Sequence, residues 1–120
     1  MKVIRRLFKV ALLGAGLAVF GFSTASSAAV AFVSVGLNNT DTFTPAITNI
    51  AAGDKVVWVW NYTMTVIPHS STSGTNGVFS GIWNSGTNSS PHMFTNTFNS
   101  AGTYAYYCGI HYIAPHFMTG

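Results

Sequence analysis

From residue 30 onward the apolar positions fall in short clusters separated by Gly, Asn, Ser and Pro, and no stretch shows a 3.6-residue period with helix caps. Residues 30–37, rich in Val, Phe and Ala, stop at the turn signal Asn38-Asn39. Residues 42–50 contain Pro45, which marks an irregular or edge strand. Ala52-Gly53-Asp54-Lys55 then turns the chain into Val56-Val57-Trp58-Val59-Trp60. That run is too short for a helix and too apolar for a half-exposed strand, so it predicts a strand covered on both faces, with Trp58 and Trp60 in the core or on a sheet face. Residues 70–90 are dominated by Ser, Thr, Asn and Gly; they predict a long connection with short strand fragments, pinned by Val78-Phe79 and Ile82-Trp83. Residues 94–98 and 102–108 predict the last two strands, joined by a turn at Asn99-Ser100-Ala101-Gly102. On the final strand Tyr104, Tyr106 and Cys108 share one face, while Ala105 and Tyr107 share the other. Short strands broken by turn residues in a chain of this size predict an all-β fold, a two-sheet Greek-key sandwich.

The first 29 residues follow a different pattern. Lys2, Arg5, Arg6 and Lys9 form a basic start, residues 10–22 are apolar, and small residues continue through Ala29. This is the order of an export signal spanning residues 1–29, cut near Ser26-Ser27-Ala28 or one residue later. The apolar stretch falls short of the ~18 residues of a spanning helix, so no membrane span is expected in the mature form. The alternative is an uncleaved anchor. Arg5-Arg6-Leu7-Phe8-Lys9 resembles a twin-arginine signal, with Ile4 where Ser or Thr is usual. A periplasmic or extracellular protein is expected.

Removing that segment inverts the electrostatics. The whole chain has five basic and two acidic residues, but four of the basic ones lie in the first nine positions. What remains is Lys55 against Asp41 and Asp54. No basic patch is left for nucleic acid, and phosphate-loop and dinucleotide fingerprints are absent. Long-range steering of a partner must be weak, so docking depends on apolar and neutral polar contacts. Two carboxylates and no oxyanion signature also argue against hydrolysis or paired-carboxylate acid–base chemistry.

One cysteine cannot form an internal disulfide, and a free thiol in an oxidising compartment is a liability unless something occupies it. Metal ligation explains it economically; an inert buried cysteine is the alternative. Cys108-Gly109-Ile110-His111 follows the tyrosine-rich run Tyr104-Ala105-Tyr106-Tyr107, Met118 stands a short loop further on, and His69 lies upstream. A thiolate, two imidazoles and a weak thioether form the ligand set that selects a mononuclear blue-copper site.

The chain resembles the cupredoxins, in particular the small exported plastocyanin-, halocyanin- and amicyanin-like proteins. The matching pieces are Phe43-Thr44-Pro45, Ala52-Gly53-Asp54-Lys55-Val56-Val57-Trp58, Pro68-His69, Thr97-Phe98 with Gly102-Thr103-Tyr104, Tyr107-Cys108-Gly109-Ile110-His111 and Met118-Thr119-Gly120. They span nearly all of residues 30–120, which the resemblance makes a single copper-binding domain. It implies His69 as the first copper ligand, Cys108 as the thiolate, His111 as the second imidazole and Met118 as the axial thioether. It also implies one copper ion cycling between Cu(I) and Cu(II), in a monomeric one-electron carrier between larger redox proteins. Those partners would dock near the loop holding His111 and Phe117.

Two departures from the family pattern bear on this. Six residues separate His111 from Met118, where relatives usually have about two to four. That longer loop holds His116, which is the alternative axial or equatorial ligand. Relatives also continue past Met-Thr-Gly with a strand, whereas this sequence stops at Gly120, so the expectation is a sandwich without its final strand or a fragment of a longer chain.

Competing functions are a copper-delivery or copper-sensing module and a fragment or donor domain of a multicopper enzyme. The enzyme needs a further copper with several more histidines, and only His92, expected as a solvated loop residue, is uncommitted. Met64 is expected to serve loop packing. A dinuclear purple centre would need two bridging cysteines. The expected function is therefore a carrier and not an enzyme.

Overall fold

The computed structural model describes residues 27–63 and 67–120. Most of the expected export signal, and Met64, lie outside those residues. Among the described residues seven strands form two sheets: β1 (Val30–Val35), β2 (Phe43–Thr44), β3 (Lys55–Trp60), β4 (Thr72–Thr75), β5 (Val78–Asn84), β6 (His92–Thr97) and β7 (Tyr106–Tyr107). The first sheet has the order β2-β1-β3-β6 and the second β5-β4-β7, so the chain crosses between sheets after β3, β5 and β6. β1 runs parallel to β3, and the remaining pairings are antiparallel. A 3-10 turn at Leu37–Asn39 is the one helical element among the described residues. No helix among them is long and apolar enough to cross a membrane.

The core follows from strand alternation. Val33 and Val35 of β1 and Val56, Trp58 and Trp60 of β3 point inward at every second position, while Phe32 faces out. Trp58 lies at its centre, with the rings of Trp83 and Tyr106 at centroid distances of 5.3 and 5.5 Å. Cys108 and Met118 belong to the same buried cluster, so the segment expected to bind metal is continuous with the core.

Three expectations need correction. Residues 70–90, expected as a long connection with short strand fragments, hold the whole β4–β5 hairpin, with β5 seven residues long. Their polar composition hides strands because hydroxyls supply the missing ladder bonds. Ser73 Oγ accepts from the backbone N–H groups of Ile82 and Trp83 and from Ser80 Oγ, beside a register shift between Thr72 and Gly74. Of the four apolar residues expected to pin this segment, only Trp83 is buried, its Nε1 donating to Ser71 Oγ at 3.0 Å. His92 is not a loop residue; it stands in β6, its ring edge-on to Trp60. The final strand shortens to Tyr106–Tyr107.

Residues 118–120 lie along β7. Tyr107 and Thr119 form an antiparallel bridge, and Tyr106 and Gly120 exchange N–H···O bonds of 3.0 and 2.9 Å. Beside them an apolar cleft of about 760 Å³, lined by Trp58, Trp83, Phe98, Tyr104 and Tyr106, opens between the sheets.

Candidate metal centre

Three donor atoms converge at one end of the sandwich. His69 Nδ1 lies 3.0 Å from His111 Nδ1 and 3.9 Å from Cys108 Sγ, and His111 Nδ1 lies 3.6 Å from Cys108 Sγ. A circle through three points so spaced has a radius of about 2.1 Å. An ion at its centre would sit at bonding distance from all three, since metal–imidazole bonds run about 2.0–2.1 Å and metal–thiolate bonds about 2.3 Å. The donor set fits copper, for which two imidazoles and a thiolate in one plane suit both oxidation states.

Each donor is fixed by backbone structure. Cys108 follows directly on β7, and its N–H donates to the Met118 carbonyl at 3.0 Å. The ligand loop closes on itself, with His111 N–H donating to the Cys108 carbonyl and Met118 N–H to the His111 carbonyl. His69 is held by a two-way backbone bridge to Asn88 and by Trp60 Nε1, which donates to its carbonyl. The Tyr62 ring packs edge-on against the imidazole at 5.7 Å. Gly36, at φ 67°, also approaches the ring so closely that a Cβ there would lie 2.9 Å from His69 Cδ2 and Nε2. With Nε2 against Gly36, Nδ1 is the nitrogen that meets the other donors.

Ser70 joins the two halves. Its N–H donates to Cys108 Sγ at 3.3 Å, and its Oγ accepts from the Gly109 N–H at 2.7 Å. The first contact fixes the direction of the sulfur, and the Gly109 bond holds the start of the ligand loop against the segment next to His69.

Burial divides the two imidazoles. His69 is 2% exposed. That burial pushes its pKa down to about 4, with His111 acting in the same direction and the Asp41 carboxylate opposing. It is therefore neutral, and free to bind a metal, well into the acid range. The His111 side chain is 15% exposed and forms the solvent side of the cluster.

Of the residues expected from the sequence, His69, Cys108 and His111 come together, with these donors mutually within 4.8 Å. Met118 is fully buried beside them, tied through its backbone to both Cys108 and His111. His116 stands apart: its ring is centred 5.2 Å from that of His111, and its Nδ1 is hydrogen-bonded to the Asp41 carboxylate. Sequence reasoning missed Gly36, Ser70 and Asp41. Ser70 adjoins His69 and Asp41 is one of only two carboxylates, but neither fact alone reveals a contact made across the fold.

Sandwich and donor set together define a β-protein built around one soft nitrogen–sulfur metal site. The chain belongs to the copper-binding proteins of the plastocyanin/azurin family, whose profile matches residues 31–120. The chloroplastic plastocyanin of Tetradesmus obliquus is 35% identical over 104 residues, covering 81% of this chain and 70% of that protein. A purple cupredoxin from Nitrosopumilus maritimus shares the fold with a TM-score of 0.59 at 24% identity, over 75% of this chain and 94% of that one. A reduced amicyanin mutant does so with a TM-score of 0.54 at 21% identity, over 82% of each chain.

Proposed function

We propose that this protein is a one-electron carrier built on a mononuclear type 1 copper site, with His69, Cys108 and His111 in the plane and Met118 as the axial thioether. The convergence of His69 Nδ1, His111 Nδ1 and Cys108 Sγ on one point carries this reading. Copper would supply a single-electron cycle between Cu(I) and Cu(II), for which a thiolate, two imidazoles and a distant sulfur suit both states. The protein's part is rigidity. β7 fixes Cys108, the Asn88 bridge fixes His69, and the Cys108–His111–Met118 backbone bonds fix the rest, so little needs to move when the charge changes. The burial of Met118 in the cluster that contains Cys108 supports its axial role, and the Asp41 contact of His116 gives that histidine a different task.

Electrons would enter and leave through His111, the more exposed of the two imidazoles. Ile110, Ile113 and Phe117 lie exposed on the same loop, with Phe117 at 63%, and form an apolar docking face for a redox protein. A module that only hands over a metal ion has no need of such an edge. Residues 1–29 would be an export signal, removed to leave a monomeric domain of residues 30–120 outside the cytoplasm. The basic-apolar-small order of the segment supports export, and the Arg5-Arg6 pair supports a twin-arginine route.

The test is to load the purified protein with cupric ion and follow its visible absorption through a reductive titration. The carrier reading expects an intense thiolate-to-copper band that one electron abolishes and reoxidation restores. A pale absorption without a reversible couple would point to copper delivery. Phe117→Glu should lower the second-order rate of reduction by a protein donor while leaving the potential in place; an unchanged rate removes the docking face.

A further inference from the structure

Asp41 is one of the chain's two carboxylates, and it reaches the ligand loop from outside the donor set. It sits on a tight turn before β2, closed by the Gly36 N–H donating to the Thr42 carbonyl at 2.9 Å and the Asn39 N–H to the Gly36 carbonyl at 3.0 Å. The Thr40 and Thr42 hydroxyls also bond to each other at 2.7 Å. That turn aims the carboxylate at the ligand loop. One oxygen is hydrogen-bonded to His116 Nδ1, and the other lies 3.6 Å from His111 Nδ1. A carboxylate accepts, so His116 must carry its proton on Nδ1. Asp41 does not join the group of mutually close donor atoms, so its charge lies just outside the ligand set. Its side chain is 25% exposed, which limits screening by water.

The rest of the described chain holds little competing charge. Asp54 and Lys55 are its other fixed charges, and they lie at the start of β3, the end of that strand away from Tyr62 and His69. Asp54 is engaged there with the N–H groups of Ala29 and Ala51. Asp41 is thus the single fixed charge among the described residues at the metal end.

We propose that Asp41 is the positioning residue of the metal centre and sets its potential. It grips Nδ1–H of His116 to anchor the long loop that carries His111, and it places one negative charge beside the ion, favouring the cupric over the cuprous state. The proposal rests on the copper reading above. The extra positive charge of Cu(II) gains more from a nearby carboxylate than Cu(I) does. It also accounts for the extra length of the loop, because a shorter connection from His111 to Met118 would not carry His116 out to Asp41.

The experiment compares wild type, Asp41→Asn, Asp41→Glu and His116→Ala, each copper-loaded, by redox titration and visible spectrum. Nitrogen-15 spectra of the His116 ring in the metal-free proteins accompany them. Asp41→Asn should raise the ratio of reduced to oxidised protein at fixed solution potential by about tenfold, which is about 59 mV for one electron. The charge-transfer band should persist. Asp41→Glu should restore most of the shift, and His116→Ala, which keeps the charge, should not reproduce it. The metal-free wild type should show a proton on His116 Nδ1, and Asp41→Glu should keep it. An Asp41→Asn potential equal to wild type, or a His116→Ala shift of the same size and sign, overturns the proposal. A wild-type protein with no charge-transfer band refutes the carrier reading instead, and the nitrogen-15 result then still decides whether Asp41 holds the loop.

Discussion

Gly36 offers the sharpest perturbation of the centre without touching a ligand. Its φ of 67° is left-handed, and an added Cβ would lie 2.9 Å from two ring atoms of His69 and 3.2 Å from the Tyr62 ring. Gly36→Ala therefore combines backbone strain with a steric conflict. Strain alone is worth about 1–3 kcal/mol for a residue forced into that region. The conflict adds about 1–3 kcal/mol, because the His69 backbone is fixed by Asn88 and Trp60 and its buried ring packs against Tyr62. Gly53→Ala is the control: φ there is 96°, but nothing lies within 4 Å of the added carbon. Urea denaturation of the metal-free variants should show Gly36→Ala less stable than Gly53→Ala by about 1–3 kcal/mol. Competition titration with a copper chelator should show affinity at least about tenfold weaker for Gly36→Ala, equivalent to about 1.4 kcal/mol, and unchanged for Gly53→Ala. If the two variants behave alike in both assays, Gly36 does not brace His69.

The metal-free protein should lose stability on acidification. His69 has a folded pKa of about 4 against 6.5 when unfolded, so between those values the unfolded chain binds the extra proton. Stability present above pH 6.5 then falls by up to about 3 kcal/mol as pH drops to about 4. Denaturation midpoints across that window should show the fall in wild type and a smaller one in His69→Gln; equal slopes would contradict the assignment. Ser70→Ala removes the acceptor of the Gly109 N–H and should cost about 1–3 kcal/mol in thermal or chemical unfolding. It should keep the Cys108 charge-transfer band, because the Ser70 N–H still reaches the sulfur.

The legible parts of the sequence were those where chemistry is local. Cys-x-x-His at the end of a tyrosine-rich strand announced a metal site, since both side chains ride on one turn. Val56 to Trp60 announced the central strand through apolarity alone. β4 and β5 were legible only as short fragments of a polar connection, because Ser73 and Ser80 hydroxyls bond across the hairpin and the same composition describes a loop. Val78, Phe79 and Ile82 misled for the complementary reason: they are apolar yet exposed. Asp41 was beyond reach because it meets His116 across 75 positions of sequence, and only the folded turn before β2 brings the two together. Gly36 was hidden in the same way, as a strand-ending glycine whose closeness to His69 exists only in three dimensions.

The central claim is that one sulfur and two imidazole nitrogens share a single ion. X-ray absorption fine structure at the copper edge of the loaded protein tests it most directly. The account predicts one short sulfur scatterer and two imidazole nitrogens about the metal, with the sulfur signal lost in Cys108→Ser. A shell of nitrogen and oxygen alone in the wild-type protein would contradict it.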